Sequence, residues 1–211
     1  IVVKDKLSIL TKKDIINFTL ETSQISTKKG IEMSIILKKE LDNFKYSTPF
    51  ELHYSETHRE KYLNDPDYIC DNNVDADLAA HITITIARGI CLCWKPIKKI
   101  FKPIPSKYYL KSILFDIENA MEDVLDNPVY VVLNLCRVLF YLKEGVISSK
   151  KEGWERILNK IEKPYAEITT KALDIYQGKQ FDNEFKKEEL INFAKVMLDN
   201  INKNLKNKHA S

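Results

Sequence analysis

Three prolines, Pro96, Pro103 and Pro105, divide the sequence into two stretches with different hydrophobic periods. Proline fixes φ and lacks a backbone N–H, so such a group interrupts helices and strands alike and marks a linker. Before it the period changes repeatedly. After it every segment repeats at helical spacing. The chain therefore predicts two parts, 1–104 and 105–211.

The first part opens on Ile1-Val2-Val3, a β-type run that reads as the end of a buried strand. No Met precedes it, so more chain upstream is expected. Thr11-Lys12-Lys13-Asp14 opens a helical pattern carried by Ile15, Ile16, Phe18 and Leu20. After Gly30 the pattern alternates. Ile31, Met33 and Ile35 fall on one strand face, and Glu32, Ser34 and Ile36 on the other. Residues 43–73, rich in Asp, Asn, Pro and Tyr, read as a long ordered loop. Asp75-Ala76-Asp77 predicts the start of a helix that runs to about Arg88 and stops at Gly89. Ile90–Trp94 reads as a short strand. The second part predicts five helices, over Ser106–Leu125, Val129–Lys143, Ser148–Ile161, Pro164–Tyr176 and Phe181–Leu205. Val129–Lys143 is apolar on most sides and belongs at the centre of a bundle. The class is α+β.

With 211 residues, 44% of them apolar and 30% charged, the chain has enough material for a real core. A net charge of +3, with Lys and Arg spread along the chain, argues against a nucleic-acid partner. The longest apolar run, near Val129–Leu142, is interrupted by Asn134 and Arg137 and falls short of the roughly 20 apolar residues of a membrane span. No signal peptide is visible, so the expected compartment is the cytoplasm, with no membrane partner. Cys70, Cys91, Cys93 and Cys136 form no CxxC pair and read as reduced thiols, with Cys91 and Cys93 on one face of a strand.

Glu32 is the first candidate for chemistry. A carboxylate on a strand among apolar neighbours is desolvated, which suits a general base, whereas one on an edge strand is merely solvated. Asp75 and Asp77, two apart, either grip a divalent metal or cap a helix. Lys150 follows Ser148-Ser149 at a helix start, where it is either a phosphate contact or a surface lysine. His53, His58 and His81 match no zinc spacing. His81 reads as structural, while His53 and His58 flank Tyr54 and Glu56 and can line a pocket. Neither a nucleophile elbow nor a Gly-rich phosphate loop is present.

Taken as an ordered set, several segments resemble the aminoglycoside nucleotidyltransferase family of streptomycin/spectinomycin adenylyltransferase type, closest to an uncharacterised branch. They are Gly30-Ile31-Glu32-Met33-Ser34-Ile35-Ile36, Phe50-Glu51-Leu52-His53-Tyr54-Ser55, Asp75-Ala76-Asp77-Leu78-Ala79-Ala80-His81, Asn127-Pro128-Val129-Tyr130 with the helix that continues to Arg137, and Ser149-Lys150-Lys151-Glu152-Gly153. The resemblance spans about residues 1–178. It implies a truncated nucleotidyltransferase-fold mixed sheet followed by a C-terminal five-helix bundle. It also implies AMP transfer from Mg-ATP to an antibiotic hydroxyl, with ATP and Mg²⁺ as the small molecules held and a monomer or weak dimer as the assembly. The family's Gly-Ser turn and Asp-x-Asp metal pair would lie upstream of Ile1, so no metal ligand is expected within this chain, and the stretch by itself is expected to be inactive.

Carried over position by position, Glu32 matches the base, Asp77 an active-site carboxylate in the nucleotide region, Lys150 a phosphate contact and Tyr176 a tyrosine near the nucleotide. At the substrate positions Thr57 stands where the antibiotic enzymes carry Trp. Asn127, beside Asp126, stands where they carry Asp. Asp116, Glu118, Glu122, Asp123 and Asp126 offer an acidic wall for a cationic antibiotic, or only a solvated helix face. Two alternatives remain. One is a non-antibiotic acceptor. The other is a non-catalytic module of toxin–antitoxin type, against which Arg137 lacks the His expected a few residues on.

Overall fold

The computed structural model describes residues 1–25, 30–148, 152, 163–180 and 185–209. The chain divides into two compact units. One comprises Ile1–Ile82 with Ile90–Ile104, and the other Thr83–Gly89 with Pro105–Ser211. The class is α+β, as expected.

The first unit carries β1 (Val2–Val3), α1 (Ile9–Ile25), β2 (Met33–Leu37), α2 (Lys38–Asp42), β3 (Thr48–Phe50), β4 (Leu52–Tyr54), α3 (Glu56–Asn64) and β5 (Asn73–Asp75), and α4 (Leu78–Arg88) starts in it. The sheet is mixed, in the order β1-β2-β4. β1 runs parallel to β2 with Val2 opposite Ile36, and β4 runs antiparallel to β2 with Ser34 opposite His53. A separate ladder pairs β3 with β5. Val2 and Val3 form the expected strand; both are half-buried, Ile1 is exposed, and among the described strands β1 stands at one end of the order.

The core of this unit follows strand parity. Leu52 and Tyr54, on one face of β4, are fully buried and pack with Ile35 of β2, Ile16 and Leu20 of α1, and Tyr62 of α3. Burial of each such side chain contributes roughly 1.5–3 kcal/mol. α1 starts two residues earlier than expected, because the Ser8 hydroxyl accepts the Thr11 N–H at 3.1 Å as an N-cap. Its inner face is partly polar. Lys12 is 3% exposed and meets Glu51 at 3.0 Å and Asp71 at 2.6 Å, while Glu51 also accepts the Leu7 N–H at 3.0 Å. Phe18, expected on the apolar face, is 69% exposed.

Two further expectations are corrected. Residues 43–73 are no loop; they hold β3, β4, α3 and the first residue of β5. Three-residue strands and a helix with one buried residue, Tyr62, are too short and too polar to leave a period. Ile90–Trp94 forms no strand. Ile90 and Leu92 are 83% and 94% exposed, the backbone turns at Trp94 with φ 76°, and the Cys91 thiol donates to the Cys93 and Lys95 carbonyls of its own segment. With no partner strand, apolar composition alone does not make a β ladder. α5 (Ile97–Ile100) follows.

The second unit is helical throughout its described elements: α6 (Ser106–Phe115), α7 (Ala120–Asp123), α8 (Pro128–Glu144), α9 (Lys163–Tyr176) and α10 (Lys187–His209). The helix expected over Ser106–Leu125 breaks in two at a run of tight turns, in which Ile117 and Glu118 donate to the carbonyls three residues back. The helix expected over Ser148–Ile161 lies almost wholly outside the described residues. α8 is central, as its composition implies. Every residue from Val131 to Leu142 is buried, Pro128 occupies its first turn, and Gly145 ends it in the left-handed region at φ 68°.

α8 also buries a polar island. Arg137 forms an ion pair with Asp116, whose side chain is 9% exposed and also accepts the Tyr130 hydroxyl at 3.1 Å. Asp116 is therefore spent inside the helical unit and is not part of an acidic wall. Burial pushes the nearby Tyr109 phenol up to about 12. All four cysteines are free thiols, Cys91 and Cys93 exposed and Cys136 buried. Among the described residues no helix is long and apolar enough to cross a membrane.

Replacing Lys12 with Met leaves Glu51 and Asp71 as partly buried carboxylates facing each other. The expected loss is about 3–5 kcal/mol of unfolding free energy, read by urea denaturation. Arg137→Met, which strands Asp116, is expected to cost a similar amount. A loss below about 1 kcal/mol in either variant means that the pair is solvated in solution.

Candidate active site

One face of the β2–β4 pair is core, and the other carries polar side chains beside the buried Ile36 and Phe50. Parity puts Ser34 and His53 there, directly opposite each other, and the Ser34 hydroxyl lies 3.0 Å from His53 Nδ1. Glu32 shares this parity but precedes the first strand residue, Met33. Its side chain is 60% exposed. The expected desolvation is thereby corrected: Glu32 stands at the mouth of the strand in contact with water. Its carboxylate lies 3.8 Å from His81 Nε2, in the first turn of α4.

The entry to β2 is held from the side. Gly30 sits at φ 70°, and a Cβ there would meet the Glu56 carboxylate at 2.2 Å, so only glycine fits. The Ser23 hydroxyl donates to Glu56, and so does the Tyr54 hydroxyl at 3.3 Å. The Ser23 bond holds the Glu56 carboxyl below its usual range, with help from the Ile31 backbone, Tyr54 and Arg59 against the opposing pull of desolvation. One carboxylate thus ties α1 and β4 to the turn just before Glu32.

Asp75 ends β5 and Asp77 precedes α4. The Asp75 carboxylate accepts the Asp77 N–H at 2.7 Å, and the Asp77 carbonyl accepts the His81 N–H at 3.0 Å. This Asx turn starts the helix, so the helix-start reading of the pair holds, with Asp75 as the side chain that acts. Burial lifts the Tyr46 phenol, and the negative charges of Asp77 and Asp75 lift it further. Burial also keeps His53 below the ordinary histidine value, against the charges of Asp75 and Glu32 and together with His81. His58 is lowered by burial and by its neighbours His53 and Lys61, and its Nδ1 lies 2.7 Å from the Tyr68 hydroxyl.

Glu32, His53, Tyr46, His81, Asp75 and Asp77 therefore form one polar cluster within the first unit. Among the described residues no group of three or more His, Cys, Asp or Glu side chains could hold a metal ion. A separate hollow of about 270 Å³, lined by residues that include Asn17, Tyr62, Asp65 and Ile69, contains none of the cluster. Thr57 lies exposed in the first turn of α3, its hydroxyl 2.8 Å from that of Ser55. In the second unit Asp126 and Asn127 are exposed just before α8, and Tyr176 closes α9 at 37% exposure. Lys150 lies outside the described residues. The sequence reading singled out Glu32 and Asp77 but treated His81 as structural and gave no role to Ser34 or Tyr46. The parity of Ser34 with Glu32 was the available signal.

Two results test this geometry. By side-chain NMR, the His53 and His58 imidazoles should titrate below 6.5, the value of an unperturbed histidine; titration at or above it would show both rings open to water. Gly30→Ala should lower unfolding free energy by about 1–3 kcal/mol, and an unchanged denaturation midpoint would mean that Glu56 swings away at no cost.

Comparisons with known proteins agree with this architecture. Residues 99–200 match the family model of the aminoglycoside adenylyltransferase C-terminal domain. An aminoglycoside (3'') (9) adenylyltransferase of Rhizobium radiobacter is 23% identical over 200 residues, which cover 90% of this chain and 74% of that protein. The crystal structure of a spectinomycin adenyltransferase, AAD(9), from Enterococcus faecialis with ATP and spectinomycin superposes with a TM-score of 0.78 at 19% identity, over 95% of this chain and 82% of that one. The second unit is thus similar to the C-terminal domain of aminoglycoside adenylyltransferases, and the fold of the chain is that of a spectinomycin adenyltransferase.

Proposed function

We propose that the chain is an O-nucleotidyltransferase that moves AMP from Mg-ATP to a hydroxyl of an aminocyclitol or aminoglycoside antibiotic, spectinomycin being the first acceptor to test. The likeness to a spectinomycin adenyltransferase over 95% of the chain carries the reading. It is supported by a solvent-accessible carboxylate that lies beside an imidazole.

In this reading Glu32 is the general base. The acceptor O–H breaks, its proton passes to the Glu32 carboxylate, and the oxygen attacks the α-phosphorus of ATP. The bond to pyrophosphate breaks, and pyrophosphate leaves. Exposure does not disqualify the base. A base must be open to the acceptor it deprotonates, and a carboxylate at the mouth of the strand is. Asp77, Lys150 and Tyr176 are assigned to the nucleotide, and Thr57, Asp126 and Asn127 to the acceptor. The roles assigned to these residues are proton removal and positioning.

Glu32→Gln in the purified full-length protein is expected to lower AMP transfer by about 10²–10⁴-fold while ATP still binds, as measured with labelled ATP and spectinomycin. Unchanged turnover would remove Glu32 as the base. A second reading, a non-antibiotic acceptor, is favoured by Thr57 and Asn127 at the acceptor positions. An acceptor panel in which every antibiotic fails while ATP binds would select it. The toxin–antitoxin reading is disfavoured, because Arg137 is 8% exposed and tied to Asp116.

A further inference from the structure

The first five residues of α4 include four that are buried, Leu78, Ala79, Ala80 and Ile82, at 1%, 0%, 3% and 3% exposure. His81 stands among them with a side chain 43% exposed. It is not filling core, and its ring points to one carboxylate, with Nε2 3.8 Å from Glu32 Oε1. That distance is beyond a hydrogen bond but within ion-pair range, and contacts of this kind tighten when substrate binds.

The backbone beneath His81 is fixed. Its N–H bonds to the Asp77 carbonyl at 3.0 Å, and the Asp77 N–H is held by the Asp75 carboxylate at 2.7 Å. β5, the Asx turn and the start of α4 thus present the imidazole to the mouth of β2. The other ring on this face is committed elsewhere: His53 is half-buried on β4, with Nδ1 on the Ser34 hydroxyl. Glu32, for its part, precedes the strand with a side chain 60% exposed, and its position alone does not fix where its oxygens point.

We propose that His81 is the positioning residue for Glu32: its Nε2 holds the carboxylate in the orientation needed to take the acceptor's proton. This rests on Glu32 being the base. It adds that the helix opened by Asp75 and Asp77 serves the proton-transfer step through His81, so that β5 and α4 are coupled to catalysis.

A double-mutant cycle tests it, with spectinomycin and labelled ATP as the probe. His81→Ala should lower kcat by about 10- to 100-fold, leave KM for ATP unchanged, and leave the thermal midpoint in place. His81→Gln, whose amide nitrogen reaches nearly as far as Nε2, should recover most of the loss. In the Glu32→Gln background, His81→Ala should cost nothing further, because a residue acting through Glu32 has nothing left to act on. Multiplying losses in the double variant, no rescue by Gln, or a fall in the thermal midpoint that accounts for the lost turnover would each overturn the proposal and leave the base in place. Full activity in Glu32→Gln would sink the base assignment, and the positioning role with it.

Discussion

The cationic end of Lys12 organises the first unit. At 3% exposure it sits between Glu51 and Asp71, and such a group stays charged in a protein interior only if its partners are fixed. Burial, the largest single influence, pulls its pKa down, yet its hydrogen bonds to Asp71 and Glu51 and their charges together carry it above the usual lysine value. Stability from this pairing is present below the unfolded lysine pKa and is lost as pH rises through the higher folded value. Glu51 joins β3 to β4, and its backbone N–H reaches the Ile35 carbonyl of β2 at 2.7 Å. One lysine on α1 therefore fixes the corner where three strands meet, and that corner sets the register in which Ser34 faces His53.

From that register the division of labour follows. A strand has two faces, and a one-residue slip exchanges them. Here Leu52 and Tyr54 are fully buried on one side, so His53 is forced to the other, and the antiparallel pairing brings it to Ser34. β5 delivers Asp75 from the second ladder, and the turn after it supplies Asp77 and His81. Ser34, His53 and Asp75 sit on strands, Asp77 lies in the short turn after β5, and His81 is at the start of α4; a site on such elements gains precision from its scaffold.

The parts legible in sequence were those with long, one-sided patterns. The α+β class, the central helix Pro128–Glu144, its glycine stop at Gly145, the alternation through Ile31, Met33 and Ile35, and the parity of Glu32 all follow from periodicity and capping. The short elements did not follow. β3, β4 and β5 have three residues each, below the length at which alternation can be distinguished from chance. Ile90–Trp94 failed in the opposite direction, because strand formation needs a partner and none of the described strands pairs with it. The polar inner face of α1 was hidden for a different reason. Lys12 looks like a surface residue until Glu51 and Asp71, 39 and 59 positions away, are brought to it. The same holds for Arg137 and Asp116, and for His81 and Glu32. Contacts between distant residues are the part of a site that periodicity does not encode.

Exposure of Glu32 bears on how such a site can work. A base buried in the free protein needs its neighbours to keep it ready, and it resists ionisation until they do. A base in water is ionised without help but lacks direction, and direction is worth orders of magnitude in a proton transfer. The arrangement here separates the two requirements. In the proposed site the carboxylate stands in water, and its orientation falls to an imidazole on a helix whose start is pinned by an Asx turn and anchored by four buried neighbours. In the proposed site the positions assigned to the acceptor, Thr57 and Asn127, lie outside the contact between Glu32 and His81, so a change at them leaves that contact in place.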